Sequence, residues 1–438
     1  MKKSLMFLLT CCLAVSATVA VTACDSDSDD KPTYTVELPE MPSAPSEGLT
    51  YELTEDGTGY VMVNASGCTD KNIRVADTWE GLPVVRIGDY AFAAMGMNLP
   101  ISITFGENVT SIGNDLFGSL YSIAAFYVPE TNTAFSAIDG SLYTKNGEVL
   151  IKYAVGKTDE SFSVPAGVTE IAEAAFNCSF SLSSLTLPEG LTTIGRWAFA
   201  NCDRLTELSI PDTVVSLGEL PLVGSEIANI VVGENNSVYK SVDGNLYSKD
   251  GTELLIYPSA KKATSFTVPE SVTSIGDYAF YYCGNLETVV LPENLLSIGK
   301  EAFFQCEKLS SVVLPENLQS IGNSAFTYCN ITSVVVPANV VDMGYGVFSA
   351  CKHLTTATIE SEYVGDNMFF DCDELVSVTI GQNVKRIGNF AFSRCEKLTA
   401  ISYDGLLMDW AGIEKYDAWK DALSATKVVC IDGEADLE

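Results

Sequence analysis

The chain has 438 residues, of which 47% are hydrophobic, so it can bury a large core. Its formal net charge of −32 argues against nucleic acid as a partner and against anionic membranes bound through a basic patch. The chain has a single histidine, His353, which excludes a zinc site built from several histidines. The histidine of any Ser-His-Asp triad would have to be this residue.

Residues 1–23 have the features of a signal peptide. Lys2 and Lys3 form a positive start, and the apolar stretch that follows over residues 5–21 is too short and too weakly flanked to span a membrane. Small residues then precede Cys24, a pattern that resembles the lipobox of bacterial lipoproteins. The resemblance implies that Cys24 becomes a lipidated N-terminus. An ordinary signal peptide cut nearby is the alternative.

Residues 24–47 are predicted to form a tether. An acidic run up to Asp30 is similar to the surface-export signal of some outer-membrane lipoproteins, which implies a surface-exposed outer-membrane lipoprotein. A calcium loop is disfavoured, because its sixth position is Asp30 rather than glycine and its twelfth is Val36 rather than glutamate. Four prolines between residues 32 and 45 favour extended backbone that lifts a folded body off a membrane.

Residues 48–83 are predicted to form an N-terminal β cap. Residues 51–63 are typical of two strands around a glycine-bearing turn, and a second apolar run over residues 73–85 leads into a repeat. A repeat array needs such a cap, because its end coil would otherwise expose core residues and a strand edge.

A sequence unit recurs over residues 84–400 with a period of 21–25 residues and reads L-x-x-V-x-[LVI]-P-x-x-V-x-x-I-G-x-x-A-F-x-x-C. The isoleucine position has eleven copies: Ile87, Ile112, Ile171, Ile194, Leu217, Ile275, Ile298, Ile321, Met343, Val364 and Ile387. The first run of the unit alternates like a strand that proline ends, so we predict one short strand per unit, stacked into a parallel sheet. The isoleucine and phenylalanine must bury against neighbouring units, which predicts a repeat solenoid.

Two longer gaps between units, of 59 and 58 residues, each hold a β-hairpin insert, at about residues 135–155 and 239–258. Asn146-Gly147 and Asp250-Gly251 each join two short apolar runs, which is a strong hairpin signal. The inserts lie 104 residues apart, and the same offset relates prolines, phenylalanines and cysteines around them. We infer that a block of about 104 residues was duplicated.

These units and their Asp-Gly-x-Leu-Tyr inserts resemble the BspA-like bacterial leucine-rich repeats over residues 49–438. The resemblance implies a right-handed superhelix of β/α type and adhesion to host matrix proteins or to other cells. Signature residues are lost at Leu217–Val223, at Ile359-Glu360 and at Ile380-Gly381. We expect these worn coils to bend or to face a partner.

Residues 401–438 are predicted to form a C-terminal cap of helix and strand. Apolar residues from 406 to 413 have helical spacing, and residues 427–433 are typical of a last strand. This tail resembles the cap of the family, with Trp410 and Trp419 covering the final coil. An exposed aromatic binding platform is the alternative interpretation of the tryptophans.

Eight of the thirteen cysteines occupy the cysteine position of the repeat: Cys178, Cys202, Cys283, Cys306, Cys329, Cys351, Cys372 and Cys395. Equivalent positions on successive coils point the same way, which is a poor geometry for disulfides. We therefore predict a ladder of buried free thiols, although disulfides are common in exported proteins. Zinc is disfavoured because no C-x-x-C occurs.

No nucleophile elbow, phosphate loop or metal motif is present, so we assign no catalytic, cofactor or metal residues. The favoured hypothesis is a monomeric, lipid-anchored, non-enzymatic surface protein that binds an extracellular protein or glycan. The alternatives are a structural component of the cell envelope and a carbohydrate-active enzyme with paired carboxylates.

The conspicuous residues of the repeat, such as Ile298, Gly299, Phe303 and Cys306, are explained by stacking and turning. His353 falls at a loop position where other units carry lysine or glutamate, so we interpret it as a surface residue. Recognition is therefore expected at the variable positions of the repeat, the two hairpin inserts and the worn coils. The sequence names neither the ligand nor the binding face.

Overall fold

The computed structural model describes residues 40–437, apart from residues 96–98, 115, 118, 119, 417 and 422. The predicted signal peptide, Cys24 and the tether as far as residue 39 lie outside the described residues. Within the described ranges, no helix is long and apolar enough to cross a membrane.

The described residues form short strands, one α-helix and a turn of 3-10 helix at Ala93–Met95. The strands of the N-terminal part are β1 Thr50–Leu53, β2 Tyr60–Asn64, β3 Asn72–Arg74, β4 Thr78–Trp79, β5 Leu82–Ile87, β6 Ser102–Thr104, β7 Ser111–Ile112 and β8 Ala125–Tyr127. The next part contains β9 Phe135–Ile138, β10 Ser141–Thr144, β11 Val149–Lys152, β12 Ser161–Ser163, β13 Glu170–Ile171, β14 Ser184–Thr186, β15 Thr193–Ile194, β16 Glu207–Ile210, β17 Ser216–Leu217 and β18 Asn229–Val232.

The remaining elements run from the second hairpin insert to the C-terminus. They are β19 Tyr239–Val242, β20 Asn245–Ser248, β21 Glu253–Ile256, β22 Ser265–Thr267, β23 Ser274–Ile275, β24 Thr288–Val290, β25 Ser297–Ile298, β26 Ser320–Ile321, β27 Ser333–Val336, β28 Asp342–Met343, β29 Thr356–Ile359, β30 Tyr363–Val364, β31 Ser377–Ile380, β32 Arg386–Ile387, β33 Ala400–Tyr403, α1 Leu407–Gly412, β34 Glu414–Lys415, β35 Lys427–Cys430 and β36 Gly433–Asp436.

The regular units confirm a repeat solenoid, but most contribute two short strands rather than the one predicted. The predicted strand forms sheets such as β27-β29-β31-β33-β35-β36. A second strand, the dipeptide that ends at the isoleucine position, forms sheets such as β19-β20-β21-β23-β25-β26-β28, which we call the Ile-strand sheet. In it Ile298 lies beside Ile321 in parallel register. The extra strand forms because burying each isoleucine places equivalent dipeptides of successive coils side by side.

The glycine after the Ile strand allows successive coils to approach closely. A Cβ atom on Gly322 would lie 2.4 Å from the backbone nitrogen of Lys300. The N–H of Gly322 donates to the carbonyl oxygen of Ile298 at 2.8 Å. The sequence predicted glycine here because it permits a turn. The structure adds a second reason, because the close approach of the coils leaves no space for a side chain.

The core contains a ladder of parallel phenylalanine rings, as the inward orientation of the repeat phenylalanine predicted. Ring centroids of consecutive coils are 4.6–5.7 Å apart with interplanar angles of 3–11° through Phe280, Phe303, Phe326, Phe348, Phe369 and Phe392. All six side chains are fully buried. The final ring, Phe392, meets Trp419 edge-on at 6.2 Å, and Trp419 packs in turn against Trp410.

The predicted ladder of buried free thiols is confirmed for seven of its eight cysteines. Each of these seven thiols donates to a backbone carbonyl of the preceding coil, mostly that of the phenylalanine, whereas the half-buried Cys178 donates to the Asn177 side chain. The contacts join Cys202 to Phe176, Cys283 to Tyr257, Cys306 to Phe280, Cys329 to Phe303, Cys351 to Phe326, Cys372 to Phe348 and Cys395 to Phe369, with Sγ–O distances of 3.1–3.5 Å.

Both predicted hairpin inserts are present, and each has a third strand. β10 pairs antiparallel with β9 and β11, and β20 pairs antiparallel with β19 and β21. β11 and β21 then pair in parallel with β13 and β23 of the following coils. Each insert therefore starts a new Ile-strand sheet and divides the solenoid into successive parts.

Candidate functional site

A groove of about 710 Å³ lies at the second hairpin insert, and we call it the junction groove. It is lined by the worn coil Leu217–Val223, by Tyr257–Ser259 and by Tyr278 and Tyr281. The floor is the Ile-strand sheet, with Ser297 among its lining residues. The groove thus combines a worn coil, a hairpin insert and variable repeat positions, the three places where recognition was expected.

The groove marks a break in the aromatic ladder. Phe176 stacks on Phe199 at 5.5 Å, and Leu222 occupies the equivalent position on the next coil. Stacking starts again where Tyr257 packs on Phe280 at 5.2 Å. Because the worn coil lacks the Ala-Phe pair and the hairpin follows it, no ring continues the stack between Leu222 and Tyr257.

A buried asparagine anchors the second hairpin beside the groove. The Asn236 side chain donates to the carbonyl oxygens of Pro211 and Val214, at 3.0 and 2.8 Å. Its Oδ1 accepts the N–H groups of Val238 and Tyr239, at 2.9 and 2.7 Å. Every hydrogen-bonding group of this side chain is used, so Asn236 fixes the direction in which the hairpin leaves the coil.

Asn132 makes the equivalent four contacts at the first hairpin. Sequence reasoning missed both residues, although the offset of 104 residues relates Asn132 to Asn236. The presence of asparagine at both of these related positions was the signal in the sequence that could have identified them. The duplicated geometry indicates that the two hairpins are attached to the solenoid in the same way.

Half-exposed aromatic side chains extend from the groove over the next two coils. We call Tyr278, Tyr281, Tyr282, Phe304 and Tyr328 the aromatic cluster. Tyr281 stacks on Phe304 at 5.3 Å, and Tyr328 meets Phe304 edge-on at 5.6 Å. Tyr278 and Tyr282 flank Tyr281 at 5.7 and 4.7 Å. Partly exposed, mutually supported rings of this kind are typical of binding surfaces.

The backbone presents several of these rings outward. Tyr278, Tyr282 and Tyr328 have φ values of 60°, 59° and 64°, in the left-handed region. The same two repeat positions are left-handed in most coils, whichever residue occupies them. The conformation therefore belongs to the repeat, and the aromatic identity of the side chains is specific to these coils.

The groove is acidic, with one lysine. Glu219, Glu253 and Asp277 line it. Burial raises the pKa of Glu253, and the neighbouring carboxylates Asp277 and Asp250 add to the shift. Lys300 donates to the Tyr278 hydroxyl, which raises the pKa of the lysine, and its ammonium lies 5.0 Å from the Tyr278 ring centroid. The excess of carboxylates favours neutral or cationic ligands.

Residues singled out in the sequence lie elsewhere. His353 is exposed, as predicted. Trp410 and Trp419 are buried in the core, so they do not form an exposed platform. Cys24 is outside the described residues. Within the described part of the chain, no group of three or more His, Cys, Asp or Glu side chains could hold a metal ion.

The repeat units match a known family, and the fold matches solved structures. A family described as a BspA type leucine rich repeat region matches residues 71–145, 156–246 and 273–399, in six copies. No curated protein matches the sequence. The solved structure of the pneumococcal vaccine antigen PcpA is 22% identical, covers 90% of this chain and 98% of its own, and has a TM-score of 0.57. A leucine-rich repeat protein of Eubacterium ventriosum is 18% identical, with coverages of 89% and 98% and a TM-score of 0.51.

Proposed function

Since the chain belongs to the BspA-type leucine-rich repeat family, we propose that it is a non-enzymatic binding protein of the cell surface whose ligand occupies the junction groove. The main support for this proposal is that the groove and the aromatic cluster are continuous, because Tyr278 and Tyr281 belong to both. Half-exposed aromatic rings on adjacent coils are of the residue type that contributes most at protein interfaces.

We further propose that the protein is a monomer held at the outer membrane through lipid on Cys24. The lipobox-like residues and the acidic run after Cys24 support this anchor. Residues 24–47 would then act as a tether that carries the solenoid away from the membrane. An extracellular protein or glycan could reach the groove in that position.

The Asp277 carboxylate of the groove has a structural partner, which supports binding rather than catalysis. Asp277 Oδ1 accepts the N–H of Lys300 at 2.7 Å, and Asp366 accepts that of Asn389 at 2.8 Å on a later coil. Asp277 therefore makes the same contact between successive coils as Asp366, which does not line the groove. A glycosidase would instead need a pair of carboxylates arranged around one bond.

The test compares two aromatic residues at one repeat position. Tyr281→Ala removes a groove residue, whereas Phe370→Ala changes the equivalent residue four coils away. Both variants and the parent, each beginning at residue 25, are applied to arrays of matrix proteins and glycans. We expect a ligand that the parent and Phe370→Ala bind and that Tyr281→Ala loses.

Other outcomes separate the alternatives. Equal binding by all three proteins would place the ligand outside the groove. Release of reducing sugar from an arrayed glycan would favour a carbohydrate-active enzyme, and silence on every array would favour a structural role in the envelope. Protease treatment of intact cells tests the surface position, since protection until lysis contradicts it.

A further inference from the structure

Successive coils of the solenoid are joined by a main-chain ladder around the Ala-Phe turn. The N–H groups of Glu301, Phe303 and Gln305 donate to carbonyl oxygens of the following coil, at 2.8, 2.7 and 2.9 Å. These donors are alternate residues, so the turn behaves as one edge of a parallel strand pair. A coil with no successor would leave the same three donors exposed at its edge.

The ladder stops at the junction groove. Trp197, Phe199 and Asn201 donate to the carbonyl oxygens of Glu219, Pro221 and Val223, at 3.2, 2.8 and 3.0 Å. The equivalent donors of the worn coil are the N–H groups of Leu220, Leu222 and Gly224. Among the described residues, none of the three has a hydrogen-bond acceptor.

The first junction has a main-chain hydrogen bond that the second lacks among the described residues. The N–H of Gly156 donates to the carbonyl oxygen of Ile123 at 2.7 Å. A Cβ atom at Gly156 would lie 2.3 Å from the carbonyl oxygen of Ser122. Ala260 stands 104 residues after Gly156 and carries that Cβ, and in the described part of the chain its N–H makes no equivalent bond.

We infer that the junction groove binds an extended peptide segment of a partner protein, whose carbonyl groups accept the N–H groups of Leu220, Leu222 and Gly224. The segment takes the place of the missing coil, in the manner of a strand added to a sheet edge. This inference rests on the proposed function and names the class of its ligand.

The walls of the groove define the chemistry of the segment. Side chains on one face of an extended peptide would contact Leu222 and Tyr281, which favours apolar residues at alternate positions. The other face would meet Glu219, Glu253 and Asp277, which favours lysine or arginine over acidic residues. Alternating apolar and basic residues therefore match both the spacing of the donors and the charge of the groove.

The test uses the chain from residue 25 onward, which retains every residue that the structure describes, and amide hydrogen exchange followed by NMR. In the free protein, the amides of Leu220, Leu222 and Gly224 should exchange faster than those of Trp197, Phe199 and Asn201. A fluorescein-labelled heptapeptide of alternating valine and lysine should slow the three groove amides by about tenfold or more. A valine and glutamate heptapeptide and a β-1,4-linked glucose hexasaccharide serve as comparison probes.

A charge reversal at one repeat position supplies matched variants. Glu219→Lys lies in the groove, and Glu173→Lys changes an exposed glutamate at the equivalent position two coils earlier. By fluorescence anisotropy, Glu219→Lys should weaken binding of the valine and lysine peptide about tenfold, and Glu173→Lys should leave it unchanged. Equal loss in both variants would show that the peptide responds only to overall charge and would overturn the inference.

The remaining outcomes distinguish this inference from the proposed function. Slow exchange of the three amides in the free protein, or peptide binding that leaves their exchange unchanged, overturns the peptide site. Slowing by the hexasaccharide alone also overturns it. An array ligand that Tyr281→Ala loses but that the peptide does not displace refutes the inference and leaves the proposed function standing. If the peptide protects the three amides but no arrayed ligand binds, the peptide site is supported and the proposed surface ligand is contradicted.

Discussion

The thiol of Cys306 donates a hydrogen bond to the carbonyl oxygen of Phe280 on the preceding coil, with an Sγ–O distance of 3.1 Å. The same carbonyl also accepts the N–H of Cys283 at 3.1 Å. The cysteine position therefore joins neighbouring coils through a polar contact inside an apolar core, in addition to filling space. This explains why a small side chain with a weak donor recurs there.

The buried thiols predict a loss of stability at alkaline pH. Burial raises the pKa of Cys351 to about 12, whereas an unfolded cysteine titrates near about 8.5. Below about pH 8.5 the protonated Cys351 thiol makes its full contribution to the free energy of unfolding. Above that pH the unfolded chain loses the thiol proton first, so stability falls as the pH rises towards 12. The Cys351 thiol contributes up to about 1.4 kcal/mol per pH unit in this window.

Urea melts at pH 7.5, 8.5 and 9.5 test this loss, in a range where most tyrosines are still protonated. The parent should lose stability between pH 8.5 and 9.5, and Cys351→Ala should lose less. An identical pH slope in both proteins would contradict a buried, protonated Cys351.

Truncation of a ladder ring should be costly. Phe303 is fully buried between Phe280 and Phe326, at 4.6 and 4.9 Å. Phe303→Ala should lower the free energy of unfolding by about 3–5 kcal/mol, because it leaves a cavity inside the stack. The neighbouring Phe304→Ala is the matched control, since its half-exposed ring should cost less than half as much. Urea melts that give equal values for both would place Phe303 outside the core.

The asparagine anchor predicts a local effect at the second hairpin. Asn236→Ala leaves the N–H groups of Val238 and Tyr239 without their acceptor and should cost about 1–3 kcal/mol. Exchange of those two amides should accelerate more than exchange elsewhere. Asn235→Ala, which removes one exposed side-chain contact to Asp212, should cost under about 1 kcal/mol. Unchanged exchange in Asn236→Ala would show that the hairpin is held by other contacts.

The left-handed repeat position predicts unequal effects for two substitutions. Ser324 has φ 54°, and Gly346 holds the same repeat position with φ 64°. Ser324→Val should cost about 1–2 kcal/mol, because a β-branched residue resists this conformation. Ser324→Gly should change stability by less than about 1 kcal/mol in either direction. If thermal melts show equal stability for Ser324→Val and Ser324→Gly, Ser324 does not adopt the left-handed conformation in solution.

The sequence predicted the parts of the fold that repeat. The inward positions of Ile298, Phe303 and Cys306 followed from their recurrence, because each coil faces the same packing problem as its neighbours. The Ile strand was missed because two residues are too short to show alternation. Asn236 was missed because an asparagine in a loop has many ordinary explanations.

The site could be predicted only in part. The loss of the Ala-Phe pair after Leu217 marked the worn coil, and the hairpin after it was visible. The open N–H groups could not be deduced, because they depend on how closely the insert approaches the preceding coil. At the first junction Gly156 lies against the backbone carbonyl of Ser122, whereas Ala260 holds the equivalent position at the second, and such a tertiary contact is not visible in the sequence.

The junction also has a mechanical consequence. Leu246 belongs to the buried cluster of the preceding coils, and Tyr247 belongs to a separate cluster that continues to the C-terminus. Neither the aromatic stack nor the main-chain ladder crosses this boundary. Under tension, as when a tethered cell is pulled away from a bound partner, we expect the two parts to separate there first. A segment seated in the groove would bridge the two parts, so the bound protein would resist force better than the free one.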